Sequence, residues 1–334
     1  MTDNLPTIPL IDAPEGPLQI ARQMPDRTRG ILKKVHRLLP PPLLRWGDHY
    51  SEDWLERSHN PYLGEIREIA DILGKPGGYA LNFSFEMGCT TGCRAPGAQS
   101  PMQLYRSLDW PFRLGADVVA ARHQPPAGPY YNITWPGYVG VLTALAPKRF
   151  AAAINQAPMT YSFDRFSLGL PVDWVVNRLR IRKLTSIPPV HLLRQVFDRC
   201  ATYDEAKKIL ATMPICIPVI YTLTGTKPGE GCIIERREND AIIHEGPVCI
   251  TNHWINDQFH GRPRRGISSR RRLAKMQTML PTLKGRFDWL VPPVLDGFTR
   301  MAAELNAATG SLLLQGWHGD MPQTKILELG PGLM

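Results

Sequence analysis

The segment GCTTGCRAPGAQSPMQLYRSLDWPF (residues 88–112) contains two strand-like runs joined by the turn sequence PGAQSP. Such runs on either side of a short turn rich in proline and glycine predict an antiparallel β-hairpin. Folding the hairpin about the middle of the turn places Cys89 opposite Leu108 and Thr91 opposite Arg106. We therefore expect the two ends of the segment to lie side by side.

A thiol, a guanidinium and a carboxylate come together at the open end of this predicted hairpin. Arg106 and Asp109 lie within one or two residues of the position opposite Cys89. A nearby guanidinium lowers the pKa of a thiol, and a carboxylate can hold an amine in place. A buried cysteine beside a structural Arg–Asp pair gives the same pattern, so the hairpin alone does not establish a catalytic site.

The rest of the chain predicts an α+β fold. Residues 1–30 are interpreted as an extended arm, residues 31–46 as a short helix ending at a proline triplet, residues 61–73 as a helix stopped by Gly74, and residues 81–87 as a strand with alternating apolar side chains. Beyond the hairpin, strand-like runs predominate, interrupted by paired helices over residues 190–213 and a helix over residues 270–280. Strands segregated from helices favour a layered α+β architecture over alternating βαβ units.

Composition limits the possible classes of protein. The 334 residues carry a net charge of +9 and are 43% hydrophobic, which indicates a globular chain with anionic partners. The start of the sequence does not resemble a secretory signal, and no run of about 18 apolar residues predicts a membrane span, so we expect a cytoplasmic protein. The six cysteines lack the spacing of a metal site.

The densest basic run, Arg262 to Lys275, has three interpretations. A solvated loop and helix face is favoured, and contact with an anionic membrane surface is the next alternative, which would make the protein peripheral to the membrane. The apolar face of Ile31 to Leu39 could assist that contact. Nucleic acid is a less favoured partner because no recognisable nucleic-acid motif accompanies the charge.

Several motifs occur together in an order that resembles a known family. They are GCTTG, YRSLDWP, WPGYVGVLTAL, AAAINQ, TYDEAKKIL, PGEGCIIERR, ITNHW and SSRRRLAKM, and they extend over roughly residues 60–280. Their order and approximate spacing are similar to those of the acid ceramidase and N-acylethanolamine acid amidase family. That family belongs to the choloylglycine-hydrolase-like branch of the N-terminal nucleophile (Ntn) hydrolases.

The resemblance implies a four-layer αββα sandwich preceded by a helical, propeptide-like segment. It also implies that the precursor cleaves itself before a catalytic cysteine, giving an N-terminal fragment of residues 1–88 and a catalytic fragment of residues 89–334 that stay associated as an αβ heterodimer. The new N-terminal residue then supplies both the attacking thiol and, through its α-amino group, the base. This mechanism requires no cofactor and no metal ion.

The resemblance also assigns site residues. Cys89 matches the nucleophile, Arg106 the arginine that stabilises the thiolate and the substrate carbonyl, and Asp109 the residue that holds the α-amino group. Asn155 matches the asparagine of the oxyanion hole, and Asn252 a second active-site asparagine.

Two of these assignments leave alternatives open. Cys93 is an alternative nucleophile, although only Cys89 is followed by a pair of small hydroxyl residues, Thr90 and Thr91, which resembles the Thr-Ser pair of the family. Arg270 is the best match for a final arginine that orients the site, but Arg271 and Arg272 are adjacent and only the register separates the three.

The function implied by the resemblance is hydrolysis of a linear amide with an acyl chain, such as an N-acylethanolamine or a ceramide-like lipid. An acyltransferase of the same fold shares the first half-reaction and is one alternative. A non-catalytic, membrane-associated descendant of the family is the other.

Overall fold

The architecture is taken from a computed structural model that describes residues 4–82, 87–162, 169–262 and 268–331. In chain order the helices are α1 (Pro17–Gln23), α2 (Pro25–His36), α3 (Pro41–Arg57), α4 (Leu63–Leu73), α5 (Gly78–Asn82), α6 (Leu170–Lys183), α7 (Pro189–Arg199), α8 (Tyr203–Thr212) and α9 (Ser268–Met279). The strands are β1 (Leu10–Asp12), β2 (Gly88–Arg94), β3 (Gln103–Asp109), β4 (Val119–His123), β5 (Tyr130–Thr134), β6 (Thr143–Ala146), β7 (Phe150–Gln156), β8 (Val219–Thr224), β9 (Gly231–Arg236), β10 (Ala241–Glu245), β11 (Val248–Ile250), β12 (Thr299–Asn306), β13 (Ser311–His318), β14 (Met321–Pro322) and β15 (Leu327–Leu329).

The strands form two sheets. Within the described ranges, the first sheet has the order β1-β4-β5-β6-β7-β8-β9-β10, and the second has the order β11-β2-β3-β12-β13-β14, with β15 paired to β13. Every residue of β7 is buried, as is every residue of β8 and β9. These strands are therefore buried on both faces, and polar side chains such as Asn155 are buried along with the apolar ones.

Helices cover the outer faces of the two packed sheets. Between the sheets, Thr91 of β2 meets Thr222 of β8, with 2.7 Å between their Oγ1 atoms. Outside the first sheet, the ring of Phe197 in α7 packs on Phe150, and outside the second sheet α9 packs on β2 and β11. The layers are therefore α7 and α8, first sheet, second sheet and α9, which confirms the predicted αββα sandwich.

The N-terminal segment is helical, and two local predictions for it are wrong. Residues 1–30, interpreted as an extended arm, contain β1, α1 and the start of α2. The helix expected to begin near residue 31 and to stop at the proline triplet is the end of α2, which begins earlier, at Pro25, and a separate helix, α3, begins within the triplet at Pro41. Prolines in the first turns of α1, α2 and α3 explain the error. Proline is favoured at the first helical position, where its missing N–H has no intrahelical partner to lose.

The strand predicted over residues 81–87 is also wrong where the structure describes it. Leu81 and Asn82 end helix α5, and residues 83–86 lie outside the described ranges. The side chain of Asn82 donates to the carbonyls of Gly78 and Gly137 and accepts from the Val139 N–H. These bonds tie the end of the N-terminal segment to the loop before β6. By contrast, the helix predicted over residues 61–73 is present as α4, and Gly74 ends it in a left-handed conformation with φ of 60°.

Candidate active site

The predicted hairpin is present with the expected register. Strands β2 and β3 pair antiparallel, with Cys89 opposite Leu108 and Thr91 opposite Arg106. Because successive side chains of a strand point to opposite faces, Cys89, Thr91 and Arg106 share the face toward the first sheet. The Sγ atom of Cys89 lies 3.8 Å from the carbonyl oxygen of Ile154, which places the thiol between the sheets.

Asp109 lies on the opposite face of this hairpin, toward α9. It pairs with Gly88, its Oδ1 accepts a hydrogen bond of 3.1 Å from Thr299 Oγ1, and its Oδ2 is 3.8 Å from Nη1 of Arg272. Burial raises the pKa of Asp109 to about 6, and the opposing effect of Arg272 is smaller. The thiol and this carboxylate therefore meet at one end of the hairpin, but from different faces of the sheet.

The main chain of Cys89 is held on both sides. Its N–H donates to Oδ1 of Asn252 at 2.8 Å, and its carbonyl oxygen accepts from Nη1 of Arg272. Arg272 also donates to Thr90 Oγ1 and to Asn252 Oδ1, each at 2.9 Å. The Asn252 amide donates to the carbonyl oxygen of Gln156 at 2.9 Å. In this uncut chain, the group that contacts the nitrogen of Cys89 is thus Asn252 and not Asp109.

Asn155 and Arg106 form a second pair on the thiol side of the hairpin. Nη1 of Arg106 donates to Asn155 Oδ1 at 2.7 Å, and the Asn155 amide donates to the carbonyl oxygen of Thr251 at 2.9 Å. Both the oxygen and the nitrogen of the Asn155 side-chain amide, which was expected to contribute to the oxyanion hole, therefore make hydrogen bonds within the protein. The Nε and Nη2 atoms of Arg106 are buried and have no hydrogen-bond partner among the described residues. These free donors are available to a negatively charged oxygen.

The choice of Arg270 is corrected to Arg272. Arg270 and Arg271 are exposed on α9, whereas Arg272 is buried, at 1% exposure, and makes the contacts with Cys89 and Asn252. The buried face of α9 consists of Ser269, Arg272, Leu273 and Met276, which recur at helical spacing. An arginine one or two positions earlier points away from the sheet.

Cys93 occupies a different environment from Cys89. It lies four residues further along β2, its Sγ is 3.4 Å from the carbonyl oxygen of Gly246, and burial raises its pKa to about 12. Burial also raises the pKa of Cys89, but there the positive charges of Arg106 and Arg272 act in the opposite direction. Of these two thiols, Cys89 is therefore the one with cationic neighbours.

A hydroxyl network that no sequence pattern predicted lies behind Asn252. Ser269 Oγ accepts from the Asn252 N–H at 3.0 Å and lies 2.8 Å from Nδ1 of His253 and 2.9 Å from Thr251 Oγ1. The network joins α9 to the loop that carries Asn252. Nδ1 of His253 contacts this network and not Cys89.

The described residues contain no group of three or more His, Cys, Asp or Glu side chains placed to hold a metal ion. Among the described helices, none has the length and apolar character needed to cross a membrane.

Comparisons with known proteins give related families and relatives. Residues 167–290 match the family model of acyl-coenzyme A:6-aminopenicillanic acid acyl-transferase. Acid ceramidase of Heterocephalus glaber is 26% identical over 214 residues, 58% of this chain and 52% of that protein. N-acylethanolamine-hydrolyzing acid amidase of Mus musculus is 29% identical over 209 residues, 60% of this chain and 51% of that protein. A solved Caenorhabditis elegans ortholog of that amidase has a TM-score of 0.49 and 18% identity, covering 66% of this chain and 93% of the other.

The chain spans about half the length of the curated relatives it matches. The matches nevertheless agree with the motifs that run from residue 60 to residue 280. The chain is therefore similar to the acid ceramidase and N-acylethanolamine acid amidase family, as its motifs indicate.

Proposed function

We propose that this protein is a cysteine amidohydrolase whose nucleophile is Cys89, made available by cleavage of the Gly88–Cys89 bond. The observation that carries the proposal is the pair of bonds on the main chain of Cys89, its N–H to Asn252 and its carbonyl to Arg272. Both partners come from motifs far along the chain, and both hold the residue whose nitrogen would become the new N-terminus.

Cleavage would proceed through the thiol of Cys89. Its sulfur attacks the Gly88 carbonyl carbon, the C–N bond breaks, and the nitrogen of Cys89 leaves as an amine while a thioester forms. Water then hydrolyses the thioester and regenerates the thiol. The products are residues 1–88 and residues 89–334, and the released nitrogen already lies beside the Asn252 Oδ1 atom.

In turnover the same thiol attacks the carbonyl of an amide substrate. The α-amino group of Cys89, with an ordinary pKa near 7.7 to 8.0, accepts the thiol proton and then delivers it to the leaving amine. The unpartnered Nε and Nη2 atoms of Arg106 supply donors for the negative charge on the carbonyl oxygen. Preorganised donors of this kind are usually the largest electrostatic contribution to acyl transfer. Water finally hydrolyses the acyl-enzyme.

The substrate class we propose is an N-acyl compound with a long acyl chain. The names of the relatives, acid ceramidase and N-acylethanolamine-hydrolyzing acid amidase, support this class. Trp110, Trp135 and Tyr138, which follow the strand end that carries Asp109, line a small apolar cavity together with Leu81. Its volume of about 20 Å³ is too small for an acyl chain, so the support for this substrate class comes from the relatives.

Intact mass and N-terminal sequencing of the purified protein test the proposal directly. We expect two fragments that co-purify, the larger beginning Cys-Thr-Thr-Gly. A larger fragment beginning Cys-Arg-Ala-Pro would move the nucleophile to Cys93. A single chain of full mass with amidase activity would overturn the proposal.

A second candidate is an acyltransferase, in which an amine takes the acyl group in place of water. The match of residues 167–290 to an acyl-transferase family model favours keeping it. The two activities share the acyl-enzyme and differ only in the acceptor. Product analysis with an added amine separates them, because an acyltransferase gives mostly the new amide and a hydrolase gives mostly the free acid.

Asp109→Asn is expected to lower kcat about 100-fold or more while leaving KM nearly unchanged. The wild-type rate should rise with pH through about 6, as the Asp109 carboxyl ionises, and the variant should lack this rise. The pKa of Asp109 is about 4 in the unfolded chain and about 6 in the folded state. The protonated carboxyl therefore stabilises the folded state below pH 4, and this contribution is lost as the pH rises from about 4 to about 6. The variant should therefore be no less stable than wild type at pH 7.5. A pH–rate profile and thermal unfolding measure both effects, and an unchanged acidic limb in the variant would exclude this role of Asp109.

The surface that we propose for lipid contact differs from the basic run and the apolar α2 face that the sequence suggested. Ile31, Leu32 and Val35 of α2 are buried, so that apolar face is turned to the core and is not available to a membrane. In the basic run, Arg262 Nε bonds to Asp173 Oδ2 at 3.0 Å, and residues 263–267 lie outside the described ranges. Exposed apolar side chains occur instead where α2 passes into α3, at Leu38, Leu43 and Trp46. We propose this corner as the lipid contact.

Trp46→Ala is expected to weaken binding to anionic vesicles several-fold at low salt. A tryptophan beside basic residues is typical of membrane interfaces, and high salt should weaken binding of the wild type as well. Met213→Ala, which shortens another exposed apolar side chain, is the control and should bind like wild type. Vesicle flotation measures the effect, and equal binding by both variants would contradict the proposed contact.

A further inference from the structure

A cavity outside the candidate active site has three cationic side chains, Lys34, Arg37 and Arg113, among its lining residues. It has a volume of about 470 Å³ and lies between the end of α2 and the loop that follows β3. Lys34 reaches it from α2, Arg37 from the position just after α2, Arg113 from that loop, and His318 from the end of β13. Residues from both sides of the Gly88–Cys89 bond therefore form its walls.

The positive charge in this cavity is incompletely neutralised. Lys34 is paired with Asp117. Arg37 and Arg113 have no ion pair with any described residue, and Arg113 lies close enough to His318 to contribute to the lowered pKa of that histidine, for which burial is the larger cause. Nδ1 of His318 is buried without a hydrogen-bond partner. The cavity thus presents two free guanidinium groups and one unused ring nitrogen.

One wall of the cavity is rigid. A Cβ atom on Gly115 would lie 1.9 Å from the carbonyl oxygen of Trp317, and one on Gly316 would lie 2.0 Å from the carbonyl oxygen of Gly115. Only glycine permits this approach of the two backbones. The close contact holds together the two backbone segments that carry Arg113 and His318, since each residue is two positions from a glycine of the contact.

We propose that this cavity binds the phosphate group of an organic phosphate. Arginine presents a planar fork of donors that matches phosphate oxygens, and two such groups from different elements can bind one tetrahedral anion. The volume leaves room for an organic group beside the phosphate. The site does not include Cys89, Arg106 or Asp109, so the proposal stands independently of the proposed amidase activity.

The phosphate could belong to a soluble ester or to a lipid headgroup, because the exposed Leu38 lies at the cavity edge. Two probes distinguish these sources. Glycerol 3-phosphate, added at constant ionic strength, is followed by calorimetry and by the rise in Tm that binding to the folded state produces. Phosphatidylcholine vesicles with and without phosphatidic acid are followed by flotation.

Arg113→Gln and Arg37→Gln should each weaken binding of the recognised probe about tenfold, the loss expected for one charge-assisted contact. Arg199→Gln is the matched control, since Arg199 is an exposed arginine of α7 that does not line the cavity. Loss of glycerol 3-phosphate binding identifies a soluble ester. Loss confined to phosphatidic acid vesicles identifies a headgroup.

Two results would overturn the proposal. One is failure of the wild type to bind either probe, and the other is equal weakening in the Arg199→Gln control, which would indicate general charge attraction. Repeating the measurement on Cys89→Ala separates the two proposals, because phosphate binding should persist in a chain that is neither cleaved nor active.

Discussion

Cys89→Ala protein is expected to purify as one uncut chain and to hydrolyse no amide. The substitution removes the sulfur that would attack the Gly88 carbonyl, and without cleavage no α-amino group is released to act as the base. The Cys89 side chain is fully buried. Its replacement by the methyl group of alanine removes one heavy atom, the sulfur. We therefore expect the variant to fold, with a loss of stability of about 1 kcal/mol.

Cys93→Ala is the matched control for this experiment. Cys93 lies on the same strand, points to the same face and is equally buried, but its sulfur contacts Gly246 and not the cluster around Cys89. We expect the control to be cleaved and active. Mass spectrometry of both variants gives the answer, and cleavage of Cys89→Ala, or a full-length inactive Cys93→Ala, would exclude Cys89 as the nucleophile.

The hairpin was the part of the site that sequence could predict, because its register depends on local information. A short turn fixes which residues face one another, and alternation along each strand then fixes the face of every side chain. The opposition of Thr91 and Arg106 follows from these two rules. The partners of Asp109 could not be predicted in this way. Thr299 is 190 residues away along the chain and lies on β12, a strand that no local sequence pattern pairs with the hairpin.

The N-terminal segment was predicted poorly for a different reason. Pro17, Pro25 and Pro41 each lie in the first turn of a helix. A proline has the same effect on hydrogen bonding at a helix start and in a loop, and only the residues that follow it distinguish the two. Buried apolar residues recur after Pro25 at helical spacing, for example Ile31 and Val35, and this periodicity was the available signal.

The arginine of the site could also have been chosen from periodicity. Leu273, Met276 and Leu280 recur at helical spacing along this helix and its continuation, and they define an apolar face that is expected to be buried. Arg272 lies on that face and Arg270 does not. The family resemblance identifies the motif that contains the arginine. The spacing of the apolar residues along the helix then shows which of the three arginines lies on the buried face.

Arg272→Ala is expected to abolish cleavage and to reduce the free energy of unfolding by about 3 kcal/mol. The guanidinium donates to the Cys89 carbonyl and to Asn252 Oδ1, and its removal leaves these buried acceptors without a donor. Arg272→Lys keeps the charge but not the planar fork, so we expect slow, incomplete cleavage and a smaller loss of stability.

The controls for Arg272→Ala separate its effect on the site from destabilisation. Arg270→Ala removes an exposed arginine two residues earlier and should be cleaved like wild type. Arg236→Ala removes a fully buried arginine that donates to the main-chain oxygens of Leu210 and Met213, on the first sheet. This variant should lose stability to a similar degree and still be cleaved. Mass spectrometry and denaturant unfolding on all three variants measure both quantities. If Arg236→Ala also remained uncut, failure of cleavage would follow from lost stability, and Arg272 would have no specific part in positioning Cys89.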